Sequence, residues 1–217
     1  MIKTRHILFI LLPAILIVAF ALFVRALQYE PLQPKKTEEK ETVEPKTAKL
    51  QIPISPDDPI MGGKKAPITL IAFEDLACGH CAEQDAIFKE LLAKHPNKIK
   101  IIWKPLPVIF LPYPSGTAHK YAFCANKQNK FEEFKTIAFS NQMELSPNIL
   151  SAIAEQINLN PEILQSCLES GEVASYLETT KQLGIALNIQ SVPAIFFNNV
   201  QIENQTTVTG WKTLLQL

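Results

Sequence analysis

Glycine is scarce in this chain of 217 residues, and none of its seven glycines builds a loop able to cradle a phosphate. That excludes the ordinary nucleotide-binding motifs. Four cysteines are too few for a small secreted scaffold stapled by disulfides. Neither sign of charge dominates, since 21 basic side chains balance 21 acidic ones. Eight of the basic and five of the acidic groups lie in residues 1–55, so the other 162 residues carry 13 and 16, a net charge of −3. A mildly acidic domain without basic runs argues against nucleic acid as a partner. There is no internal repeat.

Charge is also missing locally. Ile7–Val24 carries none, with Lys3 and Arg5 before it and Arg25 after it. Eighteen helical residues reach about 27 Å, close to the hydrocarbon thickness of a bilayer. Pro13 inside the run is tolerated in lipid-embedded helices. The expectation is a single-pass anchor over residues 7–25, with residues 1–6 cytoplasmic. The alternative is a cleaved signal peptide, but the run is long for one and Val24-Arg25-Ala26 is a poor cleavage site. Residues 26–55 are rich in Pro, Glu, Lys and Thr, as in Pro34-Lys35-Lys36-Thr37-Glu38-Glu39-Lys40. Such a segment buries too little apolar surface to offset its ordering entropy, so it reads as a disordered linker that tethers a domain over 56–217. Either reading of the amino terminus puts that domain outside the cytoplasm, where disulfides persist.

The domain begins with an apolar run, Ile68–Phe73, that reads as a buried strand. His80–Lys94 has helical spacing, and Ile99–Lys104 reads as a second strand ended by Pro105. Strand, helix, strand suggests a right-handed crossover with parallel strands. Leu106–Gly116 holds three prolines and must be irregular. A helical block follows, with candidates over Thr117–Lys127 and Lys130–Ser140. Two further starts are marked by Ser146-Pro147 and Asn160-Pro161, each a capping residue before a proline. Ala194–Phe197 and Val200–Ile202 read as a hairpin across Asn198-Asn199, and Thr209–Leu217 as a closing helix.

The strongest chemical signal is Cys78-Gly79-His80-Cys81, between the first strand and its helix. Two intervening residues at a helix start let the sulfurs meet in a small ring. The free N–H groups there favour a thiolate on Cys78, and a protonated His80 would add positive charge beside it. Cys81, one turn into the helix, is expected to be less exposed and to act as the resolving thiol. A c-type haem site would need His after the second Cys, where Ala82 stands. Cys124 and Cys167 each follow the previous cysteine by 43 residues, which matches no common zinc spacing, so no metal is expected. A permanently closed structural disulfide remains an alternative. Glu74 reads first as a strand end in water, with modulation of Cys81 as the alternative. His95 and His119 have no visible partner and are expected at the surface. Val108-Ile109-Phe110-Leu111-Pro112-Tyr113 is unusually apolar for a loop.

Phe73-Glu74-Asp75-Leu76-Ala77-Cys78-Gly79-His80-Cys81 resembles the active-site segment of DsbA-like thiol:disulfide oxidoreductases of the thioredoxin superfamily. Cys124–Phe131 is similar to that family's helical insertion, and Ser191-Val192-Pro193-Ala194 to its cis-proline loop. The resemblance implies an α/β thioredoxin-like fold with a helical insertion over about 117–187. It also implies a cis bond before Pro193, with Val192 free to pair with an extended substrate beside Cys78 and Gly79. From similar sequences, Cys124 and Cys167 are expected to form a second, structural disulfide. The implied activity is the introduction of disulfides into reduced, unfolded secreted proteins, through the Cys78–Cys81 pair and with no cofactor. The implied setting is the bacterial cytoplasmic membrane, with the domain extracytoplasmic. A membrane re-oxidant of the DsbB or vitamin-K-epoxide-reductase-like type would restore the disulfide. Gly-His between the cysteines is the dipeptide of protein disulfide isomerases, so an isomerase or reductase on the same fold stays open, as does a redox-inert tethered adaptor. A monomeric domain is the default expectation.

Overall fold

The computed structural model describes residues 19–25 and 51–217. Residues 19–25 are helical and exposed. The rest of the expected anchor, and the linker as far as residue 50, lie outside the described residues. Among the described residues no helix is long and apolar enough to cross a membrane.

Five strands build one sheet: β1 (Ile60–Gly62), β2 (Ile68–Glu74), β3 (Ile99–Pro105), β4 (Ala194–Phe197) and β5 (Val200–Ile202), in the order β1-β3-β2-β4-β5. β2 and β3 are parallel, with Ile68 beside Ile99 and Glu74 beside Pro105. Their crossover is helix α1 (Gly79–Lys94). β4 returns antiparallel to β2 and places Ala194 beside Phe73, at the end of β2 that leads to the cysteine pair. The hairpin to β5 turns through Asn198 and Asn199, both at positive φ, which asparagine tolerates better than most residues. β1 was not legible in the sequence, because three residues carry no usable alternation.

Side chains alternate across β2 and β3 and so feed two cores. Leu70, Ala72, Ile101 and Trp103 face one layer, shared with Phe88 and Leu91 of α1 and Trp211 of α7 (Val208–Leu215). The Phe88 and Trp211 rings lie 5.2 Å apart, and full burial of each such side chain contributes roughly 1.5–3 kcal/mol. Ile71, Phe73, Ile102 and Phe196 face the other layer, against Leu183 and Leu187.

Between β3 and β4 stands the helical insertion: α2 (Gly116–Lys127), α3 (Phe131–Ser140), α4 (Pro147–Gln156), α5 (Pro161–Glu169) and α6 (Gly171–Ala186), with a 3-10 turn at Gln142–Glu144. Ser146 and Asn160 cap α4 and α5 by accepting from the N–H groups of Ile149 and Ile163, and a proline follows each, as their spacing predicts. Cys124 of α2 and Cys167 of α5 are joined by a disulfide, next to a small cluster of Phe123, Val173 and Tyr176.

Two expectations need correction here. The linker boundary at residue 55 is too late, because residues 51–58 already pack on the domain. Ile52 is 4% exposed, and its N–H donates to Asn199 Oδ1 at 2.9 Å. Buried Lys104 donates to the Pro53 carbonyl at 2.8 Å and to Asp58 Oδ2 at 2.6 Å. These partners are remote in sequence, so composition could not reveal them. His119 is not at the surface either: it is completely buried.

Candidate active site

The turn between β2 and α1 carries the cysteine pair, and its backbone donors are occupied one after another. Asp75 N–H points at Cys81 Sγ (3.5 Å), Leu76 N–H at His119 Nε2 (3.3 Å), Ala77 N–H at Asp75 Oδ1 (2.9 Å) and Cys78 N–H at the Asp75 carbonyl (3.0 Å). Cys78 then holds the N-cap position of α1 in extended geometry, with no conventional capping hydrogen bond. Its sulfur faces the N–H groups of His80 and Cys81.

Both cysteines are free thiols with very different surroundings. Cys78 is 8% exposed and Cys81 is sealed at 0%. The Cys81 thiol donates to the Cys78 sulfur. Although burial opposes ionisation, that hydrogen bond and the two helix N–H groups lower the Cys78 thiol to about 6. Cys81 goes the other way: burial pushes it far up, reinforced by its bond to Cys78 and by the charge of Glu74. The arrangement separates the pair into a slightly exposed sulfur that ionises more readily and a hidden one that holds its proton. Chemically, it suits attack at Cys78 and storage of a proton on Cys81.

The loop before β4 closes over this site. Cys78 Sγ lies 3.7 Å from the Val192 carbonyl, and the Val192–Pro193 bond is cis. Leu111–Pro112 is a second cis bond, which the sequence reading did not anticipate. His80 is fully exposed and turns its ring toward Glu83, with Nδ1 3.1 Å from Oε2. That hydrogen bond raises the His80 pKa first, with the charges of Glu83 and Cys78 adding to it. The side chain is therefore shared with Glu83, and its backbone N–H is what faces the Cys78 sulfur. Gly79 is exposed, and a Cβ there would touch only the Gln142 amide, at 3.5 Å.

Glu74 does not end the strand in water. It is completely buried beside Lys135, whose Nζ lies 2.6 Å from Glu74 Oε2 and 2.9 Å from Asp85 Oδ1. One ammonium serves two carboxylates, and Asp85 has a second cation in Lys89 at 2.7 Å. Burial raises the Glu74 pKa against the pull of Lys135, whereas Asp85 is lowered because its two lysines outweigh its burial. Glu74 is thus the member of the cluster readiest to take a proton.

Asp75 ties the neighbouring apolar loop to the site. Its Oδ2 accepts from Val108 N–H (2.6 Å), Ile109 N–H (2.9 Å) and Ser115 Oγ (2.8 Å). Burial alone would push this carboxyl up, but the His119 ring and the N–H groups of Ala77 and Val108 prevail and hold it at about 2. The loop so anchored shows Phe110 and Leu111 to solvent, 70% and 83% exposed.

The sequence reading missed Lys135, Asp85, Ser115 and His119. The signal for Lys135 was present in its register: Phe131, Lys135 and Phe139 recur every fourth residue and all are buried. Likewise His119 shares a face with Ala122 and Phe123. No group of three or more metal-ligating side chains is placed to hold an ion among the described residues.

A strand order with an inserted helical block, a Cys-x-x-Cys turn at a helix mouth and a facing cis-proline loop define a thioredoxin-like protein with a dithiol site. The chain belongs to the thioredoxin family, whose model matches residues 55–216, and its relatives there include DsbA-like proteins. It is similar to the Na(+)/H(+) antiporter NhaA 3 of Salinispora tropica, 25% identical over 150 residues that cover 69% of this chain and 23% of that protein. The chain thus spans about a quarter of the antiporter's length. It is also similar to the putative protein-disulfide oxidoreductase RP025 of Rickettsia prowazekii, 26% identical over 187 residues covering 82% of this chain and 67% of that protein. Among solved structures, oxidised BdbD from Bacillus subtilis superposes with a TM-score of 0.63 at 24% identity, over 74% of this chain and 91% of that one, which establishes the shared fold.

Proposed function

We propose that this protein is a membrane-tethered, extracytoplasmic thiol:disulfide oxidoreductase that introduces disulfides into reduced secreted proteins. The observation that carries the reading is the asymmetry of the pair. Cys78 lies at the helix mouth, 3.7 Å from the Val192 carbonyl, with its thiol lowered to about 6, while Cys81 is sealed and its thiol is pushed up. In the oxidised protein a substrate thiolate attacks Cys78 Sγ, and Cys81 departs and takes up a proton. A second substrate thiolate then attacks the substrate's own sulfur in the mixed disulfide, and Cys78 leaves as a stabilised thiolate. Two substrate thiols become one disulfide, and two electrons remain on the Cys78–Cys81 dithiol.

Each site residue has a role in that scheme. Cys78 and Cys81 exchange electrons. The N–H groups of Gly79, His80 and Cys81 form the helix mouth that favours the thiolate. Val192 and Pro193 offer main-chain pairing to an extended substrate segment, since proline removes a competing N–H. Glu74 exchanges a proton with Cys81. The Cys124–Cys167 bridge is structural. Exposed Phe110 and Leu111 favour apolar, unfolded segments as substrates.

The uncharged run over residues 7–24 supports the tether. Turnover then requires a membrane re-oxidant of the DsbB or vitamin-K-epoxide-reductase-like type. The name of the Rickettsia prowazekii relative, a putative protein-disulfide oxidoreductase, agrees with this reading; antiport does not carry over from a match to 23% of the antiporter.

Trapping tests the proposal. Cys81→Ala should accumulate mixed disulfides on Cys78 when offered reduced, unfolded proteins. An absence of adducts would leave the redox-inert adaptor. Direction is settled by the potential of the pair: a value well above thioredoxin's roughly −270 mV marks an oxidant, and one near or below it a reductase.

A further inference from the structure

Asp75 is completely buried three residues before Cys78, and the exchange scheme gives it no part. Its charge opposes ionisation of the Cys78 thiol, so favouring the thiolate is not what it does there. Its carboxylate instead gathers donors from two segments. Oδ1 accepts from Ala77 N–H at 2.9 Å, inside the cysteine turn, and lies 3.4 Å from His119 Nε2. Oδ2 accepts from Val108 N–H at 2.6 Å, Ile109 N–H at 2.9 Å and Ser115 Oγ at 2.8 Å.

Those last three donors belong to the two ends of one loop. Val108 and Ile109 enter it, and Ser115 leaves it. The Ser115 N–H also donates to the Ile109 carbonyl at 2.9 Å, which closes the neck. Ser115 is buried and Ile109 packs against the main core. Between the ends, Phe110-Leu111-Pro112-Tyr113-Pro114 is exposed throughout and carries no charge. Contiguous exposed apolar side chains mark a contact surface. Its neck is held by a carboxylate whose other oxygen holds the residue next to Cys78, so the surface is continuous with the cysteine site. Hydrogen bonds to an ionised acceptor are stronger than those to a neutral one, and Asp75 is ionised at any pH well above about 2.

Resting on the oxidoreductase reading above, we infer that Asp75 is a positioning residue for substrate selection: it clamps both ends of the 110–114 loop to the cysteine turn, so that the loop receives the apolar flank of a reduced, extended chain whose cysteine attacks Cys78 Sγ. The bond exchange is the one already described, in which the substrate thiolate displaces Cys81 from Cys78 and Cys81 takes up a proton. Asp75 and the loop set which chain is presented to that sulfur. Without the carboxylate the neck loses three acceptor contacts, and Phe110 and Leu111 no longer keep a fixed place beside the site.

The test compares two reduced peptides of equal length, each with two cysteines, flanked by Leu and Phe in one and by Ser in the other. Each is offered at low concentration to the full-length oxidised protein, and the rate of peptide oxidation is read. Both peptides meet the same sulfur, so the ratio of their rates is insensitive to the ionisation of Cys78, and a general loss of stability lowers both alike. We expect the wild type to favour the apolar peptide about tenfold, the scale of one buried apolar side chain. Phe110→Ser combined with Leu111→Ser should cut that preference to about twofold or less, and Asp75→Ala should do the same from inside the protein. A preference unchanged in Asp75→Ala overturns the inference, as does a wild type that oxidises the two peptides equally fast. Should Asp75→Ala fail to fold, Ser115→Ala, which removes one of the three loop donors, decides: a preference lowered about twofold upholds the clamp, and an unchanged one overturns it. A wild-type protein that oxidises neither peptide would instead refute the oxidoreductase reading itself, so the two failures are distinct.

Discussion

Titrating the redox potential against pH puts the central asymmetry to a quantitative test. With its thiol lowered to about 6, Cys78 is roughly 90% thiolate at pH 7, whereas Cys81, pushed up by burial, stays protonated throughout. Below pH 6, reducing the disulfide takes up two electrons and two protons, so the potential should fall by about 59 mV per pH unit. Between pH 6 and 8 only Cys81 is protonated, and the slope should halve to about 30 mV. The sign follows from linkage. A thiol depressed in the folded, reduced protein stabilises that state fully above its ordinary pKa of 9.0, and the stabilisation is lost as pH falls through about 6. At pH 7 it comes to about 1 kcal/mol once the partial solvent contact of the sulfur is allowed for. For a two-electron couple that makes the disulfide about 20 mV more oxidising than a pair with an unperturbed thiol. Glutathione redox buffers from pH 5 to 8, read by the mass shift on alkylation, give the slope, and thiolate absorbance gives the midpoint independently. A slope that stays at 59 mV up to pH 8, or a midpoint above pH 8, would refute the reasoning.

Three further outcomes follow from the same contacts. Lys135→Met leaves Glu74 without its cation and Asp85 with one fewer; about 3–5 kcal/mol should be lost in denaturant unfolding at pH 7, less as pH falls and Glu74 protonates, and a loss under 1 kcal/mol would show that the cluster is not held together by that charge. Asp75→Asn should speed hydrogen exchange at the Val108 and Ile109 amides about tenfold, because the carboxylate's stabilisation is present above its ordinary pKa of 3.8 and vanishes only as pH falls through about 2. Replacing Cys124 and Cys167 by Ser opens a loop with a sequence separation of 43. In the chain-entropy treatment it should cost up to about 4 kcal/mol, read as a lowered Tm with the Cys78 pKa unmoved.

How much of this was legible in the chain differs from element to element. Ser146-Pro147 and Asn160-Pro161 announced two helix starts because capping is a local hydrogen bond, complete within four residues. Asn198-Asn199 announced the hairpin for the same reason. Cys78-Gly79-His80-Cys81 announced the chemistry, since the ring it closes and the helix N–H groups it meets are set by sequence spacing alone. Glu74 and Asp85 were opaque, and the burial of Lys135 and His119 was signalled only by the register of their helices. A charged or polar residue reads as solvent-facing until its partners are known, and these partners come from different elements. The paired carboxylate and lysine of Glu74 and Lys135 are 61 positions apart, and His119 meets Leu76 across 43.

The amino-acid order alone therefore determined a dithiol at a helix mouth, the alternation of strand and helix around it, and an apolar run near the amino terminus. Only the tertiary structure decided which carboxylate is readiest to gain a proton and which histidine leaves the surface for the core. Those outcomes depend on desolvation and on contacts between distant segments. Neither quantity exists until the chain has folded and water has been excluded.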